Sequence, residues 1–121
     1  KWDELFARPG KLKTAAETAR QDIASGKSSE FDFDKLEIRT LPSFWDTYVL
    51  LPESVKKAAR KQFLHWRETP FHPSLHFKCV NQEEQIWSVR VTLGYRALGL
   101  LDSDTVTWFW IGGHQDYERR F

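Results

Sequence analysis

The feature that most constrains the fold is a series of four strand-like segments separated by short turns. These segments are Leu75–Val80, Ile86–Leu93, Arg96–Leu101 and Thr105–Ile111. Turns this short can join only antiparallel neighbours, because a parallel connection needs a crossover of about a dozen residues or more. The sequence therefore predicts an antiparallel meander over 75–111.

Helical patterns lie between a short strand at Glu37–Leu41 and the meander. A brief helix capped by Ser43 is predicted to run through Tyr48, and Pro52 precedes a longer predicted helix over 53–68. The longer helix has an apolar side and a basic side, and the apolar side is formed by Val55, Ala59, Phe63 and Trp66. The order predicts an α+β fold, with an antiparallel sheet of about four to five strands and two N-terminal helices on one face.

Residues 1–36 differ from residues 37–121, because their apolar positions are sparse. Thr14 to Glu17 has the pattern of a capping box, and apolar spacing then predicts a helix over 12–25. Residues 30–34 alternate strictly between acidic residues and Phe, as in a strand. Neither element can bury enough surface alone, so we expect the segment to lie across residues 37–121. Its contact residues are predicted to be Leu12, Ala16, Ala19, Ile23, Phe31, Phe33, Asp32 and Asp34.

Composition restricts the class of protein. With 121 residues and 40% apolar side chains, the chain can form one domain with a real core. The single cysteine, Cys79, excludes an internal disulfide framework and a cysteine zinc site. No apolar run approaches the ~20 residues of a membrane span, and no signal segment is recognisable, so we expect a cytoplasmic protein. A net charge of +1 gives no general attraction to nucleic acid, although a local basic patch is compatible with it.

Alternation along the strands assigns the sheet two faces. One face is apolar and is expected to lie under the helices, with Phe77, Trp87, Val89 and Val91 beneath Phe63 and Trp66. The other face carries polar and basic side chains, namely His76, Lys78, Ser88, Arg90 and Thr92. If the turn over 81–85 pairs Val80 with Ile86, we expect Lys78 to face Ser88 and His76 to face Arg90. Such a face can hold phosphate, and an ordinary solvated face explains the pattern equally well.

The last strand is apolar on both sides, which predicts cover on both of its faces. We expect the Phe31/Phe33 strand or the chain terminus to supply the second cover.

His114 and Tyr117 follow the last strand closely. A histidine titrates near neutral pH and a nearby tyrosine can donate a proton, so both suit acid–base work. Together with Arg90, Arg96 and Lys78 they form a set that fits phosphodiester cleavage, which needs proton transfer and cations around the phosphorus. A capping histidine beside a packed tyrosine is the alternative interpretation of the same residues.

Four short motifs occur in an order that resembles the RelE/ParE toxin superfamily of bacterial toxin–antitoxin systems. The resemblance covers 37–121. It is carried by Pro70-Phe71-His72-Pro73-Ser74-Leu75-His76-Phe77-Lys78, Trp87-Ser88-Val89-Arg90-Val91, Gly94-Tyr95-Arg96-Ala97-Leu98 and Ile111-Gly112-Gly113-His114-Gln115-Asp116-Tyr117.

The resemblance implies two possible activities. RelE-like members cut mRNA, often on the ribosome and without a metal, whereas ParE-like members inhibit DNA gyrase. The Arg, His and Tyr residues favour a metal-independent endoribonuclease with no cofactor, acting on mRNA and possibly at the ribosome. The expected roles are proton transfer by His114 or Tyr117, phosphate stabilisation by Arg90, Arg96 and Lys78, and substrate contact by His76 and Ser88. A gyrase inhibitor, or a degenerate module that only binds its antitoxin, remains the alternative.

Residues 1–36 resemble the C-terminal part of an antitoxin, with a helix followed by an acidic extended tail. The cognate antitoxin is therefore the expected partner. The chain contains no methionine, including at position 37. A fusion, two polypeptides numbered together and a native extension of the toxin all fit this observation.

Overall fold

The computed structural model describes residues 2–7, 11–31, 37–69 and 71–121. The chain begins with helices α1 (Trp2–Phe6) and α2 (Lys11–Ala24) and strands β1 (Ser29–Phe31) and β2 (Glu37–Thr40). Helices α3 (Pro42–Tyr48) and α4 (Glu53–Glu68) follow. The remaining elements are β3 (Lys78–Asn81), β4 (Ile86–Thr92), β5 (Tyr95–Asp102), β6 (Thr105–Gly113) and α5 (His114–Arg120).

The described strands form one six-stranded sheet in the order β1-β2-β6-β5-β4-β3. Strands β3 to β6 pair antiparallel in sequence order, which confirms the meander. Strand β2 instead pairs parallel with β6, with Ile38 opposite Val106. This parallel pair is possible because α3 and α4 give the chain a long connection between the two strands. The α+β class is confirmed, and the sheet is larger and more mixed than the meander alone.

Helices α3 and α4 cover one face of the sheet, as the sequence predicts. Val89 and Ala59 are fully buried there, in the same apolar cluster as Trp66 and Trp108. Phe77 and Trp87 are only half-buried and stack on one another, with ring centroids 4.9 Å apart. The assignment of the apolar face is therefore correct, although the side chains at its β3–β4 edge are partly exposed to solvent.

The opposite face is also covered, which corrects the expectation of an open polar face. Helices α1, α2 and α5 contribute to a second apolar cluster on it, together with Leu98, Phe109 and Trp110. Ser88 lies on this face opposite Leu98 and is only 1% exposed. The expectation failed because it used only β3 and β4, whereas β5 and β6 add large apolar side chains that water would not solvate. Both chain ends supply the cover that β6 requires.

The segment 75–80 is a strand only from Lys78 onward. Residues Pro73–Leu75 form a 3₁₀ turn capped by the His72 side chain, which accepts a hydrogen bond from the Ser74 backbone N–H. His76 then has a φ of 46°, a left-handed conformation that cannot continue an extended strand. The expected Val80–Ile86 pairing is also shifted, since Asn81 pairs with Ile86, while Lys78 does face Ser88 as expected.

The N-terminal segment joins the sheet through its strand. Helix α2 ends at Ala24, and the turn after it contains Gly26, whose φ of 76° favours glycine. The backbone N–H of Lys27 donates back to the Asp22 carbonyl. Strand β1 then pairs antiparallel with β2 at the sheet edge, with Phe31 opposite Ile38. The rest of the predicted 30–34 strand, containing Asp32, Phe33 and Asp34, lies outside the described residues.

Candidate functional site

A row of cationic side chains crosses the sheet on the face covered by α1. Lys78 on β3 is opposite Ser88, and Arg90 on β4 is opposite Arg96 on β5. Arg96 is in turn opposite Gly112 on β6, two residues before His114. Successive residues of a strand point to opposite faces, so Ser88 and Arg90 share one face. The antiparallel register thus brings residues from three strands and the first residue of α5 to one region. We call this region the cation row, and it consists of Lys78, Arg90, Arg96 and the adjoining His114.

The two arginines of the cation row are close enough to affect each other. Burial lowers the pKa of Arg96, the neighbouring Arg90 cation lowers it further, and Asp3 acts in the opposite direction. One guanidinium nitrogen of Arg96 lies within hydrogen-bond distance of three backbone carbonyl oxygens, those of Thr92, Leu93 and Tyr95, at 2.5, 3.2 and 3.0 Å. Adjacent like charges on a half-buried surface are unfavourable unless an anion offsets them. This pair therefore suits a phosphate.

His76 is the second imidazole near the cation row. Arg90 donates to its Nε2 at 3.3 Å. The left-handed backbone of His76 places this exposed side chain beside Arg90 even though the residue precedes β3. The expected neighbourhood of His76 and Arg90 is therefore present, through a turn rather than a strand register.

Helix α1 lies directly on the cation row. Trp2 is only 5% exposed, and its ring centroid is 4.6 Å from that of His114, with the ring planes tilted by 31°. The guanidinium carbon of Arg96 lies over the same indole, 5.6 Å from the ring centroid. Tyr117 contacts it edge-on at 5.8 Å. One side chain of α1 thus contacts three of the five residues expected to be catalytic.

Asp3, also on α1, contacts a fourth residue that was expected to be catalytic, Lys78. Its carboxylate pairs with the Lys78 ammonium at 2.6 Å. The hydrogen bond from Lys78 lowers the pKa of Asp3, and the positive charge of Arg96 acts in the same direction. Both partners are substantially exposed, so this ion pair alone contributes little to stability. The buried side chains of α1, Trp2, Leu5 and Phe6, hold the helix in place.

The expected site residues differ in accessibility. Arg90, Arg96 and His114 are half-buried, while His76 and Lys78 are exposed. Tyr117 is fully buried among the rings of Phe6, Trp110 and Phe121. A ligand would reach it only if α1 moved away, because Trp2 and Phe6 cover it. Ser88 is buried beneath the same cover, so a substrate contact by Ser88 would require a similar opening.

The residues expected to hold the N-terminal segment in place lie mostly in the second apolar cluster. Leu12, Ala16 and Ala19 are buried in it, and Ile23 packs against it while partly exposed. Arg20 of α2 also forms an ion pair with Glu84 in the β3–β4 turn. The helix predicted over 12–25 thus lies on the face of the sheet opposite α3 and α4.

Sequence reasoning missed α1, and with it the two residues that contact the cation row most closely. A signal is present, since Trp2, Leu5 and Phe6 have helical spacing and Pro9-Gly10 follows. The helix α1 has only about one and a half turns, and an isolated helix of this length is not stable. Its sequence pattern alone therefore does not predict a helix. Its position depends on packing against residues far away in the sequence, such as that of Phe6 against Tyr117.

Two further observations bear on the site. Among the described residues, no group of three or more His, Cys, Asp or Glu side chains is placed to hold a metal ion. Within the same parts of the chain, no helix combines the length and apolar content required to cross a membrane.

Solved structures share this arrangement of helices and sheet. A chain of the toxin–antitoxin complex RelBE2 from Mycobacterium tuberculosis is 19% identical, with a TM-score of 0.53 over 67% of this chain and 100% of that chain. The YoeB/ParE toxin from Agrobacterium tumefaciens is 16% identical, with a TM-score of 0.52 over 64% of this chain and 96% of that one. At sequence identities this low, the structural similarity shows that the chains share a fold.

The family comparison is more specific. None of the curated proteins matches the chain. The family model described as a ParE-like toxin domain matches residues 53–119, which include α4, the whole meander and His114. This confirms the resemblance noted for 37–121 and leaves the antitoxin character of residues 1–36 a prediction. The chain belongs to the family of ParE-like toxin domains.

Proposed function

We propose that the chain is a toxin that cleaves RNA at the cation row. The observation that carries the proposal is the Arg90–Arg96 pair on one sheet face, with His114 next to it across the β5–β6 register. Cleavage of a phosphodiester builds negative charge on the phosphorane, and preorganised cations stabilise that charge more than they stabilise the substrate. Two adjacent guanidinium groups and a lysine supply such cations.

In the proposed reaction the RNA 2′-oxygen attacks the neighbouring phosphorus. A new bond from that oxygen to phosphorus forms as the bond to the 5′-oxygen breaks, which leaves a 2′,3′-cyclic phosphate and a free 5′-hydroxyl. His114 moves the proton released by the 2′-hydroxyl or the proton gained by the 5′-oxygen. Tyr117 is the second proton-moving group in the opened state, and Arg90, Arg96 and Lys78 hold the phosphorane oxygens.

The N-terminal residues 1–36 act in this proposal as the antitoxin does in a two-chain system. Support comes from α1 and α2, which cover the face that carries the cation row. The expected cellular targets are mRNA and, through it, the ribosome, with a cognate antitoxin as a further partner. In this proposal the chain divides near residue 36 into an inhibitory N-terminal segment and a toxin domain.

The experiment must open the site without removing the rest of the N-terminal segment. A protease recognition sequence inserted between α1 and α2 allows the folded chain to be cut, after which gel filtration separates the short α1 peptide. The opened protein is then incubated with single-stranded RNA, and the product ends are identified. We expect 2′,3′-cyclic phosphate ends. Arg96→Ala should lower the cleavage rate by about 10²–10³-fold.

Lys57→Ala is the matched control, because Lys57 is an exposed cation on α4, away from the cation row. It should leave the rate unchanged. If the opened protein leaves RNA intact but blocks DNA supercoiling by gyrase, the nuclease proposal is wrong and the gyrase-inhibitor alternative is supported. If neither activity is found, the module only binds a partner.

A further inference from the structure

We propose that α1 is a mimic of a nucleotide: Trp2 occupies the position of a nucleobase, and Asp3 occupies that of the adjoining phosphate. This inference rests on the proposed ribonuclease function, because the nucleotide it copies is the one that function would bind. It goes further in assigning a base subsite to His114 and Arg96 and a phosphate subsite to Lys78. It also makes the N-terminal helix a competitive inhibitor of its own chain.

The contacts of Trp2 are those of a bound base. Proteins hold unpaired bases by stacking them on aromatic rings and on guanidinium planes. The indole of Trp2 meets both, with the His114 ring 4.6 Å away at a shallow tilt and the Arg96 guanidinium over the ring at 5.6 Å. An indole is a flat fused two-ring system, similar in shape and size to a purine.

The contacts of Asp3 are those of a phosphate. Its carboxylate lies 2.6 Å from the Lys78 ammonium, slightly closer than most charge-assisted hydrogen bonds. Arg96, which contacts the Trp2 ring, also lowers the pKa of Asp3, although less than Lys78 does. A flat ring and an anion one residue apart therefore both meet members of the cation row, as a base and its phosphate would.

Apolar packing explains only part of the position of Trp2. Trp2, Leu5 and Phe6 are all buried in the second apolar cluster and dock α1 together, whereas His114 and Arg96, which also contact the indole, lie outside that cluster. The Trp2 Nε1–H is buried without a hydrogen-bond partner among the described residues, which is unfavourable. Ring stacking rather than hydrogen bonding therefore fixes the position of the indole. Glu4, the next acid along the helix, is exposed.

The test measures binding of adenosine 3′-monophosphate, adenosine and inorganic phosphate to the full chain by NMR titration. We expect Trp2→Ala to tighten the binding of adenosine and of its 3′-monophosphate by at least about tenfold relative to wild type, because the base subsite is vacated. Asp3→Asn should tighten phosphate binding and leave adenosine unchanged. Glu4→Gln is the matched control and should change none of the three.

A second measurement does not depend on the folding of these variants. A synthetic peptide of residues 1–7 is added to the opened protein carrying bound adenosine 3′-monophosphate. We expect the peptide to displace the nucleotide competitively, and a Trp2→Ala peptide to do so at least about tenfold less well. Simultaneous binding of peptide and nucleotide would overturn the mimicry, as would unchanged nucleotide affinity in a folded Trp2→Ala chain.

These outcomes separate the mimicry from the nuclease proposal. An opened protein that cleaves RNA but binds peptide and nucleotide together retains the nuclease function and overturns the mimicry. An opened protein on which peptide and nucleotide compete, but which leaves RNA intact, supports the mimicry and overturns the nuclease.

Discussion

At the residue scale, the decisive contacts are those of Trp2 and Asp3 with the cation row. Neither residue was selected from the sequence, whereas Lys78, Arg90, Arg96 and His114 all were. Motif spacing finds residues that share a strand or follow one, and the β-sheet register then places them together. The partners of Trp2 and Asp3 lie far away in the sequence, and no local pattern encodes which surface a short helix will cover.

The ion pair of Asp3 leads to a pH prediction. Its lowered pKa means that the pair stabilises the closed α1 above the ordinary value of 3.8 and loses this effect as pH falls through the lowered pKa. Lys78→Met should raise the Asp3 pKa toward 3.8, which carboxyl NMR can follow. Lys57→Met, on α4, should leave it where it is. An Asp3 pKa that is equally low without Lys78 would show that this ion pair is not its cause.

At the element scale, the meander and the apolar stripe of α4 were predictable because both follow strict periodicities. The cover on the second sheet face was not, because it depends on β5 and β6 meeting elements from both ends of the chain. Close packing within the sheet is equally invisible in the sequence. A Cβ at Gly99 on β5 would lie 2.8 Å from a Trp108 ring carbon and 3.1 Å from Val106 Cγ1.

Gly99→Ala should therefore destabilise the protein by about 1–3 kcal/mol, as overpacking does in a close-packed core. Chemical denaturation measures this loss. Gly94→Ala is the matched control, since a Cβ there meets nothing within 4 Å. Equal stability of both variants would mean that β5 and β6 are further apart than described.

Val89 tests the assignment of the sheet faces. It is fully buried under α4, so Val89→Asp would place an unpaired carboxylate in an apolar cluster. We expect the domain to lose cooperative unfolding in a thermal melt, whereas Val89→Ala should only lower the melting temperature. A folded, soluble Val89→Asp chain would show that this face is open to water.

At the scale of the whole molecule, residues 1–36 and the rest of the chain share one apolar cluster. Leu12, Ala16 and Phe6 pack with Leu98 and Trp110, so the N-terminal segment completes the structure as well as covering the site. The sequence indicated that this segment must lie across something, because its apolar positions are too few for a core. It did not indicate which face, since α2 presents mainly alanines, which fit many surfaces.

Expression of 37–121 alone should therefore give an aggregating protein, because it exposes Leu98, Phe109 and Trp110 on one face. Co-expression of a separate 1–36 peptide should restore solubility, and Leu12→Asp in that peptide should abolish the rescue. Glu17→Gln, at an exposed position of α2, is its control. A soluble 37–121 with the melting temperature of the whole chain would show that the segment is not part of the core.

The central claim is that α1 covers a ribonucleolytic site, and the rate of RNA cleavage before and after α1 is cut from the same protein sample tests it most directly. Because opening frees Arg96, Lys78 and His114 together, we predict a rise of at least about tenfold in that rate, with cyclic phosphate ends on the product. An unchanged rate after complete removal of α1 would contradict the account.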